Sequence, residues 1–176
     1  MREFMAALEP LGFELEQRSE EIEEIQADTL EDVVRDCMRQ LRAKGLQNYI
    51  IDDSGLFIDA LGGFPGVYSA YVLKTLGCPG IIKLLAGVED RGARFRCCIG
   101  CNVAGMGEIV VSAESAGSII EKERGRGGFG FDPIFVPSGY DKTFSELPLE
   151  EKNRISHRGK AINSLSERLS ARKERK

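Results

Sequence analysis

The chain of 176 residues contains no tryptophan and only one histidine, His157. A single imidazole argues against a histidine-rich metal site and against a Ser-His-Asp triad accompanied by an additional histidine. No apolar run approaches the ~20 residues that a transmembrane helix needs. The N-terminus lacks the basic, apolar and small-residue pattern of a signal peptide, so we expect a cytoplasmic protein with no membrane partner.

The net charge is −4, and the charged side chains are unevenly distributed. Residues 1–36 carry 12 acidic and 3 basic side chains, whereas residues 150–176 carry 4 acidic and 9 basic ones. This balance argues against a general nucleic-acid-binding protein, so no nucleic-acid partner is expected. The basic C-terminal part is suited to a small polyanion, and the alternative is two solvated helix faces of opposite sign.

The five cysteines are an odd number, which does not favour a disulfide framework. Three of them lie in residues 93–103, where apolar and polar residues alternate as in a β-strand. Such a strand turns Cys97 and Cys101 inward and Cys98 to the opposite face. No second Cys-x-x-Cys or histidine pair completes four zinc ligands, so we predict buried, apolar cysteines and no zinc knuckle.

The length suits one domain, or one domain with two lobes. Helical spacing predicts helices over 2–9, 28–45, 67–76, 79–86 and from 156 onward. Alternation or short apolar runs predict strands over 12–16, 49–51, 93–103, 108–114, 118–123 and 134–136. Asp28 is the predicted N-cap of the second helix, with Glu31 completing a capping box. Strands flanked by helices, with an antiparallel meander in the middle, indicate a mixed α/β fold.

Two adjacent aspartates, Asp52 and Asp53, follow the predicted strand 49–51, and Ser54-Gly55 comes next. Carboxylates at the carboxyl end of a strand lie where open α/β sheets bind ligands. Neighbouring strand residues point to opposite faces, so only one aspartate enters a site unless the chain turns there. Mg²⁺ takes one or two carboxylates together with substrate oxygens. The alternative is an Asx turn or a helix cap.

The glycine-rich segment 125–133 is a candidate base-binding loop, in which Phe129 and Phe131 flank Gly130. Glycine permits positive φ and a close approach of the backbone to a ligand. The Gly-Lys-Ser/Thr sequence of a P-loop is missing. The two rings suit a flat base, and Asp132 could accept a hydrogen bond from the edge of that base. The alternative is a hairpin loop with two core phenylalanines.

Basic side chains surround the start of the last predicted helix. Ser156 is the predicted N-cap, and Lys152, His157 and Arg158 cluster at the positive end of this helix, which favours a polyanion. Arginine also donates to base keto oxygens, as it does to guanine O6. A plain cap with exposed basic residues is the alternative. Together, the clusters supply the parts of a Mg²⁺-dependent nucleotide hydrolase.

Five segments, in this order along the chain, resemble the inosine triphosphate pyrophosphatase family. They are 24–30 (EIQADTL), 52–56 (DDSGL), 60–70 (ALGGFPG followed by YSA), 128–133 (GFGFDP) and 151–158 (EKN followed by SHR). The first segment is most similar to archaeal members. The resemblance covers nearly the whole chain and implies a single domain over 1–176, with a mixed central sheet flanked by helices and two lobes with the active site in the cleft between them.

The resemblance also implies an activity. This family hydrolyses ITP, dITP and XTP to the monophosphate and pyrophosphate, and so removes deaminated purine nucleotides from the nucleotide pool. It uses Mg²⁺ and is usually a homodimer, so we expect a small-molecule nucleotide substrate and a second copy of the chain as partners.

Carried over by position, the resemblance implies a role for each candidate residue. Asp53 matches the catalytic acid, which is also a metal ligand, and Glu24, a surface acid in isolation, matches a second metal ligand. Ser54 matches a substrate contact, whereas the role of Asp52 is left open. The other matches to substrate-binding residues are Phe129, Gly130, Phe131, Asp132, Lys152, Ser156, His157 and Arg158.

The implied mechanism joins these residues around the triphosphate. Mg²⁺ bridges Glu24, Asp53 and the phosphates, and Asp53 orients or deprotonates a water that attacks the α-phosphorus. A donor such as Arg158 can donate a hydrogen bond to the C6 keto oxygen of inosine and xanthine. The amino group of adenine leaves that donor unpaired, which discriminates by about 1–3 kcal/mol. The sequence identifies no group that rejects guanine.

One departure from the family pattern lies at the N-terminus. Family members begin with a buried strand and a Ser/Thr-x-Asn-x-x-Lys loop that helps to hold the triphosphate, and Met1 lines up with the helix after that loop. We expect that the start of the coding sequence has been assigned too late, for instance because a GUG valine codon was taken as the initiator. The upstream nucleotide sequence tests this expectation. The alternatives are a nucleotide-binding relative with impaired catalysis, a nucleotide pyrophosphatase with another base preference, and a structural or partner-binding domain.

Overall fold

A computed structural model describes residues 1–174, and its centre is a four-stranded sheet. The strands are β1 (Tyr49–Ile58), β2 (Gly92–Val103), β3 (Gly107–Ile119) and β4 (Phe135–Pro137). They lie side by side in chain order, and each neighbouring pair is antiparallel. Among the residues described, β1 is therefore an edge strand and the sheet contains antiparallel pairs alone.

Six helices flank this sheet, as the predicted α/β class requires. They are α1 (Arg2–Leu8), α2 (Leu30–Ala43), α3 (Ser69–Thr75), α4 (Gly77–Leu84), α5 (Leu149–Ile155) and α6 (His157–Lys173). Apolar side chains of α2 cover one face of β1 and β2, and those of α1 and α6 cover the opposite face. A third cluster of buried residues joins α3 and α4 to the end of β1 and to β4. Within residues 1–174, no helix is long and apolar enough to cross a membrane.

The cysteines of β2 behave as predicted. Cys97 and Cys101 are buried among residues of α1 and α6, whereas Cys98 is buried on the α2 side. All five cysteines are free thiols. Burial raises the pKa of Cys97 to about 12, which disfavours the thiolate that a zinc ion requires. The prediction of small, buried, apolar cysteines is confirmed.

Two predicted strand boundaries are wrong. The strand predicted over 49–51 continues to Ile58, because β1 pairs with β2 without a break in register, with Asp53 opposite Cys98. Asp52 and Asp53 therefore lie in the middle of an antiparallel strand and not at the carboxyl end of a parallel one. Likewise, the strands predicted over 108–114 and 118–123 form the single strand β3, in which Gly117 leaves space for the ring of Phe135.

The N-terminal third differs from the prediction in two local respects. Residues 12–29 form neither helix nor strand, and Phe13 and Leu15 pack against the α1–α6 cluster in place of a strand pairing over 12–16. Thr29, and not Asp28, caps α2: its hydroxyl accepts the backbone N–H of Asp32 at 3.1 Å. The cap is one residue later than predicted because the threonine hydroxyl occupies the capping position.

The contact between α5 and α6 generates a prediction about stability. A Cβ on Gly159 would overlap the backbone carbonyl of Asn153. Alanine gains about 1 kcal/mol of helix propensity over glycine, but overpacking typically costs about 1–3 kcal/mol. Because the atom in the way is backbone, we expect Gly159→Ala to lower the free energy of unfolding in urea. The exposed Asn163→Ala on the same helix is the control, and equal stability of the Gly159→Ala and wild-type proteins would contradict this close approach.

Candidate active site

Strand β1 divides the candidate residues between its two faces. Its odd-numbered residues point towards α2, where Tyr49 and Ile51 pack, and its even-numbered residues point towards α6, where Ile50 packs. Asp53 therefore faces α2, and Asp52 faces α6. This follows the expected alternation of strand side chains, so the two aspartates contribute to different clusters.

On the α2 face, the negative charge of Glu24 acts on Asp53, and these two acids are called the carboxylate pair below. Asp53 is partly buried, and its Oδ1 accepts the backbone N–H of Ser54 at 2.8 Å. Burial raises the pKa of Asp53 to about 6; the Ser54 N–H opposes this rise, whereas the negative charges of Glu24 and Asp52 add to it. A carboxylate whose ionisation is disfavoured by burial and by a neighbouring negative charge, as that of Asp53 is, gains from a nearby cation.

Cys37 of α2 lies beside the carboxylate pair, and sequence reasoning did not assign it to the site. Burial raises the pKa of its thiol, and the negative charges of Glu24, Asp36 and Asp53 raise it further. A protonated thiol adds no charge to the pair. In the sequence, the helical spacing of Cys37 with Val34 and Leu41 could have identified this residue, because that spacing places Cys37 on the sheet-facing side of α2.

On the other side, a buried ion pair organises the glycine-rich loop. Lys152 Nζ lies 2.5 Å from Asp132 Oδ2, and both side chains are almost fully buried. The same Oδ2 accepts the backbone N–H of Phe129 at 2.7 Å. Gly128 has a φ of +75°, and a Cβ there would overlap Asp132. The charged pair therefore ties the loop to α5, and glycine is required where the loop passes over it.

The two phenylalanines of the loop have different environments. Phe129 is 57% exposed, with Lys152 Nζ 4.6 Å and Arg158 Cζ 5.3 Å from its ring centroid. Phe131 is only 3% exposed and belongs to the core cluster around β4. The expectation that both rings face a base is corrected: the turn at Gly130, with φ +64°, separates an exposed ring from a core ring.

The junction of α5 and α6 joins the loop to β1. Ser156 caps α6 as predicted, and its hydroxyl accepts the backbone N–H of Gly159 at 3.1 Å. Arg158 pairs with Asp52 of β1 through Nη2 at 2.8 Å and Nε at 3.0 Å. Two residues beyond Asp52, on the same face of β1, the buried hydroxyl of Ser54 has no hydrogen-bond partner among the described residues. Arg158 thus connects β1 to the exposed ring of Phe129.

His157 departs from its expected role as a positive group. Its ring is buried and stacks on Phe95, with centroids 4.7 Å apart and planes at 10°. Burial, together with the positive charges of Arg158, Lys152 and Lys160, lowers the pKa of His157 to about 3. The imidazole is neutral at physiological pH and belongs to the core. The positive charge at this helix terminus comes from Lys152 and Arg158 instead.

Comparisons with known proteins agree on one family. A family model described as the Ham1 family matches residues 1–168. The dITP/XTP pyrophosphatase of Pyrococcus horikoshii is 47% identical over 169 residues, which cover 96% of this chain and 90% of that protein. The dITP/XTP pyrophosphatase of Thermococcus kodakarensis is 50% identical over 159 residues, which cover 90% and 85%. The solved structure of the Staphylococcus aureus Ham1 protein matches with a TM-score of 0.79 at 35% identity, covering 86% of this chain and 81% of that one.

The buried imidazole makes folding stability depend on pH. His157 has a pKa of about 3 in the folded chain against 6.5 for an ordinary histidine, so between these values the unfolded chain binds the extra proton. His157 should therefore lower stability as the pH decreases below about 6.5, with a slope approaching 1.4 kcal/mol per pH unit. Asp53, whose pKa is raised to about 6 in the folded chain, contributes in the opposite direction below that pH, so the contribution of His157 is measured against a variant that lacks it. Urea unfolding between about pH 7 and pH 5 measures this slope.

His157→Phe, which keeps an aromatic ring against Phe95, is the matched variant because it removes the chain's only histidine. We expect the free energy of unfolding of the wild type to fall relative to that of this variant as the pH decreases over the same range. Parallel pH curves for the two proteins would mean that His157 gains its proton as easily in the folded chain as in the unfolded one.

Proposed function

The chain belongs to the Ham1 family, and from this premise we propose that it is a nucleoside triphosphate pyrophosphatase. Its substrates would be deaminated purine nucleotides, namely dITP, ITP and XTP, and its products the monophosphate and pyrophosphate. One observation carries the proposal: Arg158 bonds to Asp52, next to Asp53 in β1, and also lies against the exposed ring of Phe129. Arg158 thereby links the strand that carries Asp53 to an aromatic surface suited to a base.

We propose Mg²⁺ as the cofactor, held by the carboxylate pair of Glu24 and Asp53. Among residues 1–174, no group of three or more His, Cys, Asp or Glu side chains is arranged as a ready-made metal site. Two neighbouring carboxylates nevertheless fit Mg²⁺, which takes one or two protein carboxylates and fills its other positions with water and substrate phosphates. When bound, the ion would neutralise charge on the triphosphate and on the departing pyrophosphate.

Asp53 is the proposed catalytic base. A general base works best when its pKa approaches the operating pH, and burial raises the pKa of Asp53 to about 6. In this proposal its carboxylate accepts a proton from the water that attacks the α-phosphorus. The pyrophosphate leaves with the electron pair of the broken P–O bond. The unpartnered hydroxyl of Ser54 provides a hydrogen-bonding group for the nucleotide on the other face of β1.

The loop at Phe129 is the proposed base site. The purine would lie against the exposed ring of Phe129, with Lys152 and Arg158 at its edge. An ammonium has three donors, so Lys152 keeps donors for a keto oxygen while it is bonded to Asp132. Phe131 and His157 would support this site from the core, and Gly130 and Ser156 would shape its backbone.

The proposed activity is tested by measuring pyrophosphate release from dITP, ITP, XTP, ATP and GTP with Mg²⁺. We expect the keto purines dITP, ITP and XTP to exceed ATP in kcat/KM by roughly tenfold to a hundredfold, the equivalent of about 1–3 kcal/mol. Asp53→Asn keeps the size of the side chain but removes the base, so kcat should fall by about 100-fold or more.

The matched control for this test is Asp59→Asn. Asp59 lies just after β1, is half exposed and pairs with Arg94 at 2.8 Å on the surface, away from the carboxylate pair. Its amide variant should keep the wild-type kcat. Full Mg²⁺-dependent turnover by Asp53→Asn would remove Asp53 from the mechanism, and absence of pyrophosphate release from every nucleotide would reject the proposed function.

We also propose that the protein acts as a cytoplasmic homodimer. The segment from Phe64 through α3 exposes large apolar side chains, namely Phe64, Tyr68, Tyr71, Leu73 and Leu76. Contiguous apolar patches of this kind mark protein interfaces. A second copy of the chain is the proposed partner. Five free thiols support a reducing compartment such as the cytoplasm.

Tyr71, which is 69% exposed, is the residue that tests the dimer. A charge at the centre of an apolar interface must be desolvated, so Tyr71→Glu should sediment as a monomer where the wild type sediments as a dimer. Leu149→Glu is the control because Leu149 is 64% exposed on α5, outside the patch, and this variant should remain dimeric. Sedimentation of the wild type as a monomer in analytical ultracentrifugation would contradict the proposal.

A further inference from the structure

We propose that Gln40 of α2 is a positioning residue that clamps the backbone at Glu23 and thereby holds Glu24 beside Asp53. The inference rests on the proposed function, since it concerns the carboxylate pair. It arises from a difficulty in the fold: Glu24 belongs to residues 12–29, which have no helix or strand to fix them. Something else must therefore hold its carboxylate in place.

The amide of Gln40 makes two hydrogen bonds to one residue of this segment. Its Oε1 accepts the backbone N–H of Glu23 at 3.0 Å, and its Nε2 donates to the carbonyl oxygen of Glu23 at 2.6 Å. A carboxamide is suited to this because it carries a donor and an acceptor side by side, as a peptide group does. Gln40 therefore replaces the neighbouring strand that this stretch of backbone lacks.

The clamp is itself held in one orientation. The Nε2 of Gln40 also donates to Asp36 Oδ2 at 2.7 Å, and Asp36 Oδ1 accepts from Arg39 at 2.6 Å. Both N–H groups of the amide thus meet acceptors, while its oxygen meets a donor. Rotating the amide by half a turn would break these bonds and place donor against donor and acceptor against acceptor. The neighbouring groups therefore specify the orientation of the amide.

The spacing along α2 explains why clamping Glu23 positions Glu24. Lys44 donates to the carbonyl oxygen of Glu21, one turn beyond the contact of Gln40 with Glu23. Four residues of helix rise about 6 Å, and two residues of extended chain span about 6.6 Å. Two residues of the segment therefore match about one turn of α2, to which the segment runs antiparallel. Its next residue, Glu24, lies about half a turn further along α2, in the direction of Cys37.

Electrostatics also favours an amide at position 40. The surrounding segment is strongly acidic, with Glu20, Glu21 and Glu23 close in sequence. A neutral amide at position 40 holds this segment without adding negative charge, whereas a carboxylate there would repel it.

The test compares Gln40→Ala and Gln40→Glu with the wild type. Gln47→Ala is the matched control because Gln47 is exposed just beyond α2 and makes no side-chain hydrogen bond among the described residues. The first readout is amide hydrogen exchange in metal-free, nucleotide-free protein. Loss of the clamp should speed exchange of the Glu23 amide, whose N–H is bonded to Gln40, by about tenfold, while exchange in the sheet and the melting temperature stay near those of the wild type.

The second readout is the Mg²⁺ concentration for half-maximal pyrophosphate release. We expect it to rise severalfold in both Gln40 variants, more so in Gln40→Glu, while KM for the nucleotide at saturating Mg²⁺ stays within twofold of the wild type. A merely structural role would alter stability and leave this metal dependence unchanged.

The two readouts separate failure of the clamp from failure of the proposed function. Unchanged exchange of the Glu23 amide in both variants would overturn the inference, and so would faster exchange with unchanged Mg²⁺ dependence in an active enzyme. If the wild type releases no pyrophosphate at all, the proposed function fails, and the proposed metal role of Glu24 with it. The exchange result would then still decide whether Gln40 holds the segment.

Discussion

The alternation of side chains along β1 is the constraint on which both halves of the candidate site depend. Asp52 and Asp53 are adjacent in the chain, yet one faces α6 and pairs with Arg158 while the other faces α2 and Glu24. A shift of one residue in the register between β1 and β2 would exchange the two faces. The unbroken pairing over Tyr49–Ile58 therefore determines which carboxylate is left free and which one is neutralised by an arginine.

The second organising contact is the buried ion pair of Asp132 and Lys152. Burying two charges is costly, and a pair of this kind is weak evidence for stability in itself. Its value here lies in geometry, because Asp132 also accepts the backbone N–H of Phe129 and so fixes the loop that carries the exposed ring. Removal of either partner would leave the other charge buried without compensation. The pair thus couples the shape of the loop to the position of α5.

Local features of the fold were largely predictable. Ser156 caps α6 because a hydroxyl before a helical stretch meets its free N–H groups, and period-2 alternation places the cysteines of β2 on the expected faces. The sequence-based predictions failed where contacts with residues distant in the chain determine the local structure. Nothing near residue 51 indicates that β1 runs on to Ile58, because its partners in β2 lie 35 or more residues away in the chain. Equally, segment 12–16 has a strand-like pattern but packs against α1 and α6.

The sequence by itself determined the order and type of most elements, the residues that carry candidate chemistry and the resemblance to a nucleotide pyrophosphatase family, since these depend on residue identity and short-range spacing. Only the tertiary structure decided how those residues are used. Phe129 is exposed while Phe131 is core, and His157 is a neutral ring stacked on Phe95. Burial and electrostatic environment depend on neighbours from remote parts of the chain. For the same reason Gln40, unremarkable in sequence, was recognisable only once the fold had brought Glu23 against α2.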